Sequence, residues 1–348
     1  VKLSVLDLIP VRTGQTTAQA LSASAALARL ADDADYTRYW VAEHHNMPAV
    51  ASTVPGVLIP YLAQGTHRIR FGSGGVMLPN HTALAIAEQF ALLEAMLPGR
   101  VDLGIGRAPG SDPVTAYLLR GGQQPEDAFV QDVTLARELL GRGDAAAGDA
   151  VALSIGGRPF AVRPTPLATS GPTLWLLGSS GFSADLAARL GLPYVFANHF
   201  GMPGLADALA RYRTAYQPSA THPEPTSLLP VNVVVARTAA QAEAWAGPQL
   251  VQMVRLRTGA PLLPQLTVEE AAAYPWTEAE ASIRDAVRER WFVGAVSDVV
   301  PRLAAAAADA GVDEVMVVPA AGASAEDALD AGPGRAETLT LLAEALLR

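Results

Sequence analysis

The sequence contains no cysteine. That absence removes disulfides, thiolate nucleophiles and thiolate metal sites together. It also lacks any apolar run approaching about 18 residues, so no membrane-spanning helix is expected. Basic residues are the scarcer charge: 25 Lys and Arg stand against 34 Asp and Glu, a formal net charge of −9. Phosphate backbones are bound by basic surfaces, so nucleic acid is not expected as a partner. No HExxH-type spacing is present, and no metal is expected. The chain opens directly on a strand pattern, VKLSVLDL, without leader architecture, and the cytoplasm is the expected compartment.

What is present is apolar material. Half of the 348 residues are hydrophobic and 17% are charged, which suits a large core and not a disordered chain. The length fits two ordinary domains or one α/β barrel with insertions.

The most informative stretch is residues 68–107. A β-type run at 68–78 is broken by Gly72, Gly74 and Gly75. A helix-type run at 81–96 has apolar residues recurring near a period of 3.6 and stops at Pro98-Gly99. A second strand at 101–106 then leads to Arg107. Strand, helix and parallel strand make a βαβ unit, with ligand-binding residues expected just past each strand.

The same alternation extends through the chain. Further strands are predicted at 3–8, 39–45, 173–177, 194–197, 229–236 and 314–318, with helices between them. One helix is expected from Thr16 or Thr17 to about Ala34, followed by Asp35 where glycine is the more comfortable residue. Residues 108–124 read as a long loop and a helix follows at 125–140. The GRGDAAAGD segment reads as a surface link, and 151–166 as a hairpin turning at Gly156-Gly157. Residues 238–293 exceed one crossover and read as a helix plus an inserted cap, including Trp291-Phe292. Ser297 is expected to cap the next helix. Eight strands alternating with helices predict a TIM (β/α)8 barrel, an α/β fold spanning 1–348 as a single domain with insertions near 108–125, 148–170 and 238–292.

Four stretches carry candidate chemistry. Glu43-His44-His45 ends the second strand. If the strand continued, Glu43 and His45 would face away from His44. The cluster reads either as hydrogen-bonded structural histidines or as a proton carrier that titrates near neutral pH. Gly74 and Gly75 fit either a bulge or the close approach of a flat ligand to the backbone. The stretch Gly104–Gly110 is not a dinucleotide fingerprint, because its third glycine falls one place late. Arg107 within it calls for an anionic partner, with Glu43 or Asp102 as structural candidates. Residues 178–183, Gly178-Ser179-Ser180-Gly181-Phe182-Ser183, join a strand to a helix and hold more serine than an ordinary cap requires. Free N–H groups and hydroxyls at a helix start favour an anion, and Arg120 can add charge to the same site or remain solvated.

Together, the segments SVLDLIPV, RYWVAEHHNMP, RIRFGSGGVMLPNHTALAIAEQFALLEAMLPGRVDLGIGRAPGSD, LGSSGFSA and WFVGAVSDVV resemble the bacterial luciferase-like flavin monooxygenase family. The match is most specific over residues 39–112 and only general over 203–291. The resemblance implies a barrel that binds reduced FMN, supplied by a separate reductase, and uses O2 on a small aldehyde, ketone or similar acceptor. It implies His44 as the catalytic residue. It implies cofactor contacts from Glu43, Gly74, Gly75, Arg107, Arg120, Gly178, Ser179, Ser180 and Ser183, with a cis peptide bond between Gly74 and Gly75. Asp35 departs from the family's usual glycine, outside the site. Relatives that use the deazaflavin F420 make an F420-dependent hydride-transfer oxidoreductase the alternative, and a non-catalytic flavin carrier is a third reading. A homodimer is expected through the helices after strands two and three, whose Val57, Ile59, Ala83 and Ala87 would allow close contact.

Overall fold

In the computed structural model, residues 1–120, 127–141, 149–167 and 170–347 are described. The start of the helix expected at 125–140, and most of the expected GRGDAAAGD link, lie outside them. The strands are β1 (Lys2–Asp7), β2 (Arg38–Val41), β3 (Arg70–Ser73), β4 (Val76–Met77), β5 (Val101–Gly106), β6 (Val151–Ile155), β7 (Arg158–Val162), β8 (Thr173–Gly178), β9 (Tyr194–Phe196), β10 (Leu229–Ala236), β11 (Phe292–Ala295) and β12 (Glu314–Pro319). The helices are α1 (Thr17–Asp33), α2 (Pro55–Leu62), α3 (Ala83–Met96), α4 (Pro113–Arg120), α5 (Ala128–Leu139), α6 (Gly181–Leu190), α7 (Leu205–Ala215), α8 (Ala239–Thr258), α9 (Val268–Ala272), α10 (Glu278–Glu289), α11 (Val296–Ala310) and α12 (Pro333–Leu346).

One parallel sheet runs β10-β12-β1-β2-β3-β5-β8-β9, and an isolated parallel bridge from Tyr194 to Ser227 brings its ends together. This is the TIM barrel, and its eight staves are the eight strands expected from the sequence. The inserted hairpin β6–β7 pairs only with itself and turns at Gly156-Gly157. No helix among the described residues is long and apolar enough to cross a membrane.

Alternation along each strand sorts the side chains. Leu3 and Val5 of β1 pack outward into the helix layer, whereas Leu6 joins Trp40, Trp175, Val195 and Met316 inside the barrel. The inner floor, at the N-terminal ends of the strands, is charged. Arg38 donates from Nε to Glu314 Oε1 at 2.6 Å and from Nη1 to Asp102 Oδ2 at 2.7 Å. Asp102 also accepts from Arg70 at 2.7 Å and from the Trp40 indole at 3.0 Å. Burial works against the Arg38 charge, but the Asp102 and Glu314 carboxylates more than offset it and its pKa rises. Two carboxylates and two guanidiniums thus close the bottom of the barrel.

Several elements differ from expectation, each for a local reason. The run at 68–78 is two short strands, because the backbone turns at Gly74-Gly75 between β3 and β4. Within the expected loop at 108–124, Pro113–Arg120 is helical: Asp112 Oδ1 accepts from Val114 N and Thr115 N at 3.0 and 3.1 Å, so Asp112 caps a helix with Pro113 in its first turn. Phe292, assigned to the end of the inserted cap, instead opens the strand Phe292–Ala295 beside residues 233–236 of β10. Ser297 does not cap α11, which starts two residues earlier, at Val296, with Ala295 as its N-cap. Asp35 does adopt the left-handed conformation, with φ 61°. Ile59, Ala83 and Ala87, expected at a dimer face, are in the core; only Val57 of that set is exposed, at 70%.

The floor network leads to a first prediction. Asp102→Ala leaves Arg38, Arg70 and the Trp40 N–H without their shared acceptor. Stability should fall by about 3–5 kcal/mol, the usual cost of breaking a buried ion pair. Equilibrium urea unfolding reads the change, and a loss below about 1 kcal/mol would show that the floor does not depend on this carboxylate.

Candidate active site

Two cavities open at the C-terminal ends of the barrel strands. The first, of about 370 Å3, reaches from Trp40 and Leu6 to the start of α6. The second, of about 320 Å3, lies between the β1 and β12 ends and α8. Both are lined by Leu6, His44, Ala108, Pro109 and Phe200.

His44 reaches this boundary because β2 ends early. The strand stops at Val41, four residues short of the expected His45. Ala42 is then held by Ser52, whose Oγ donates to its carbonyl at 2.5 Å, and His44 N donates to Ser52 O at 3.0 Å. Beyond the strand the side chains still separate: His44 faces the cavities while Glu43 turns into the protein. The Glu43 carboxylate is 1% exposed and meets His45 Nε2 and His81 Nε2, both at 2.9 Å. It also accepts from Met77 N at 3.0 Å and Asn80 Nδ2 at 3.3 Å. Burial alone would raise the Glu43 pKa, but the hydrogen bonds from His81, His45 and Met77 N–H outweigh it and hold the carboxylate below its ordinary value. Glu43 was expected to touch a cofactor. In the structure Glu43 lines neither cavity, and its carboxylate ties together the loop that presents His44. His45 is tied to the Glu43 carboxylate, whereas His44 lines both cavities.

Gly74 and Gly75 line the first cavity, and the bond between them is cis, the geometry expected. Close packing accounts for both glycines. A Cβ on Gly74 would lie 2.6 Å from Leu6 Cδ1, and one on Gly75 would lie 2.7 Å from the Gly104 carbonyl oxygen. Gly178 is required in the same way, since a Cβ there would meet Ser183 Oγ at 2.3 Å.

Gly178, Ser179, Ser180 and Ser183 line the opposite end of this cavity. Ser180 occupies the N-cap of α6 with extended backbone, yet its side chain makes no capping hydrogen bond. Three serines thus line the cavity at a helix start that Ser180 leaves uncapped, an arrangement suited to an anion. Arg107 stands nearby, exposed, with its guanidinium carbon 4.3 Å from the Phe182 ring centroid. It does not pair with Glu43 or Asp102, whose carboxylates are taken by other donors. Arg120 is placed apart: it is not in the cavity lining, and its Nε donates to Asn80 Oδ1 at 3.1 Å.

Sequence reasoning missed His199. It follows β9 in a short 3-10 turn, Asn198–Phe200, and lines the first cavity with His44. Its place just past a barrel strand was the available signal, the same one that singled out Arg107. Burial lowers the pKa of His44 to about 4 and that of His199 to about 3; each also feels nearby charged groups, Glu43 opposing the fall at His44 and His44 adding to it at His199. Nδ1 of each ring is buried without a hydrogen-bond partner. At neutral pH both rings are uncharged and able to accept a proton.

Comparison with known proteins places these features in context. A family model described as luciferase-like monooxygenase matches residues 1–314. The chain is 39% identical over 315 residues to the uncharacterized protein YvbT of Bacillus subtilis (strain 168), covering 90% of each chain. It is 44% identical over 260 residues to a luciferase-like monooxygenase of Escherichia coli (strain K12), covering 74% of each. The crystal structure of apo-MsnO8 superposes with a TM-score of 0.83 at 36% identity, covering 100% of this chain and 98% of that one. At the level of fold alone, the oxygenating constituent of 3,6-diketocamphane monooxygenase from Pseudomonas putida, in complex with FMN, gives a TM-score of 0.68 at 16% identity, over 99% of this chain and 97% of that one. An F420-dependent secondary alcohol dehydrogenase gives 0.62 at 16%, over 98% of each.

The two neutral histidines set a pH dependence. Their folded pKa values lie below the ordinary 6.5, so the unfolded chain binds more protons and stability rises with pH. That stability is complete above about 6.5 and drains away as pH falls toward about 4. The double substitution His44→Gln and His199→Gln should flatten the decline between roughly pH 7 and 5, where carboxylates contribute little. Denaturant unfolding at a series of pH values measures it, and an unchanged slope would mean that the rings are not held neutral by burial.

Proposed function

The chain belongs to the luciferase-like monooxygenase family and is an enzyme, and from that premise we propose that it uses reduced FMN and O2 to oxygenate a small organic substrate. The observation that carries the reading is the continuity of the first cavity, from the uncapped Ser-rich start of α6 to His44, with a second cavity beyond that histidine. The residues fit the cofactor. The N–H groups at the start of α6, with Ser179, Ser180 and Ser183, take the phosphate. Gly74, Gly75 and Leu177 offer a flat, close wall for the ring, and Arg107 supplies positive charge beside it. When bound, reduced FMN supplies the electrons for O2 activation.

The protein's own part is orientation, dryness and proton handling. Leu6, Trp40, Val195, Pro230 and Met316 line the cavity with apolar surface that excludes water. His44, neutral at physiological pH, accepts a proton where cofactor and substrate spaces meet. Glu43 holds the loop that aims it. In this reading a separate reductase supplies the reduced flavin, and the chain pairs as a homodimer through exposed apolar stripes, Val57 and Tyr61 on α2 with Leu84, Leu92 and Met96 on α3. Each stripe has spacing of four or multiples of four, which places its residues on one helix face.

Titration with FMN, reduced FMN and F420, followed by flavin fluorescence, tests the cofactor. FMN species should bind and F420 should not; the reverse result would replace oxygenation with hydride transfer. Ser179→Asp with Ser180→Asp places negative charge against the phosphate and should weaken FMN binding at least about tenfold, since like-charge contacts cost on the order of a kcal/mol or more. Unchanged affinity would remove the phosphate from this turn. His44→Ala should retain flavin and lose about 10²–10⁴-fold in turnover. Full turnover would make His44 structural.

A further inference from the structure

The second cavity is chemically one-sided. Met47, Val50, Met253, Leu256, Leu262 and Val318 give it apolar walls. Among the described residues its titratable lining groups are Asp7 and His44. Asp7 is already committed: its carboxylate accepts from Ile9 N at 2.7 Å, from the Tyr39 hydroxyl and from the Arg335 guanidinium. Among the described residues no Lys or Arg lines the space. A carboxylate or phosphate entering it would lose its hydration with no counter-charge to replace it.

Two lining side chains carry a buried polar atom without a partner: His44, at the boundary with the first cavity, and Gln252, among these walls. Gln252 of α8 is 7% exposed and lines the cavity. Its side chain donates from Nε2 to the Leu263 carbonyl oxygen at 2.7 Å. A carbonyl only accepts, so this bond settles which end of the amide is nitrogen. Oε1 is therefore the free end, and it is buried without a partner. The neighbouring amides are different: Gln265 Nε2 donates to Gln249 Oε1 at 2.8 Å, so those two satisfy one another in part. A buried, unpartnered acceptor on a side chain that lines an apolar space and is anchored by its own nitrogen is a preset site for a hydrogen-bond donor.

We propose that the second cavity takes a neutral, mainly apolar molecule carrying one hydroxyl or N–H group, which donates to Gln252 Oε1. Its volume suits a ligand of roughly ten non-hydrogen atoms, taking about 30 Å3 for each water-sized atom. That this ligand is the substrate of oxygenation rests on the function proposed above; that it binds here does not. Gln252 then sets specificity: alcohols and unsubstituted amides are accepted, while their ethers, fully alkylated amides and carboxylates are refused.

The test is isothermal titration of the full chain, with and without bound FMN, using nonanol, its isomer methyl octyl ether, and nonanoate. The first two share a formula and differ only in the donor. The wild type should bind nonanol about tenfold more tightly than the ether, the discrimination expected where one hydrogen bond is made or lost. Nonanoate should bind more weakly than nonanol. Gln252→Leu should erase the preference for nonanol over the ether. Because that variant also loses the bond to Leu263, Gln252→Lys serves as its check. Lysine can still donate to the Leu263 carbonyl but offers no acceptor, so the nonanol preference should disappear and nonanoate binding should strengthen. Equal binding of nonanol and ether to the wild type, or a preference that survives both substitutions, overturns the proposal. Parallel FMN titration keeps the two readings apart. Absent FMN binding counts against the proposed cofactor while the comparison of alcohol and ether still stands or falls alone.

Discussion

The mouth of the barrel depends on one buried carboxylate. Glu43 receives two imidazoles, a backbone N–H and an amide, from His45, His81, Met77 and Asn80. These donors come from three separate pieces of chain: the loop after β2, strand β4 and the turn before α3. Asn80 extends the set, since its Nδ2 also donates to the Pro109 carbonyl at 3.0 Å and its Oδ1 accepts from Arg120. A carboxylate this deeply buried is costly unless its lone pairs are filled, so the four donors and the acceptor define each other's positions. His44 lies between Glu43 and His45 in this cross-linked set, so the hydrogen bonds that fix its neighbours also fix the loop that carries it.

The two ends of the barrel divide their work by polarity. The floor concentrates charge in Arg38, Asp102, Glu314 and Arg70, where nothing needs to enter. The mouth is mostly apolar, with polar groups at the α6 start, the two histidines, Arg107, Asp7, Ser111 and a few amides. This is the usual separation in such barrels, with stability at the N-terminal face and chemistry at the C-terminal face. The Trp40 side chain joins the two, its indole N–H on Asp102 and its ring in the wall of the first cavity.

Burial gives the histidines their character. In water an imidazole divides between charged and neutral forms near neutral pH. Here burial disfavours the charged form, leaving His44 and His199 neutral, each with an unpartnered Nδ1. Histidines of one chain separated by 155 positions come to line one cavity only because β2 and β9 are both staves of the same closed sheet.

The sequence alone determined what depends on local periodicity and on backbone chemistry. The eight barrel strands, the βαβ unit at 68–107, the hairpin at Gly156-Gly157 and the glycines at positions 74 and 75 were legible, because strand and helix periods and steric demands act over a few neighbouring residues. His44, Arg107, Ser179, Ser180 and Ser183 were legible as candidates by the same logic, each lying at or just past the end of an expected strand. The folded barrel alone decided which of these side chains meet. That Glu43 turns inward, that Arg120 bonds to Asn80, that His199 joins His44, and that Gln252 of α8 faces a space bounded by β1 and β12 are consequences of closing the sheet, which sets distances between segments whose separation along the chain carries no such information.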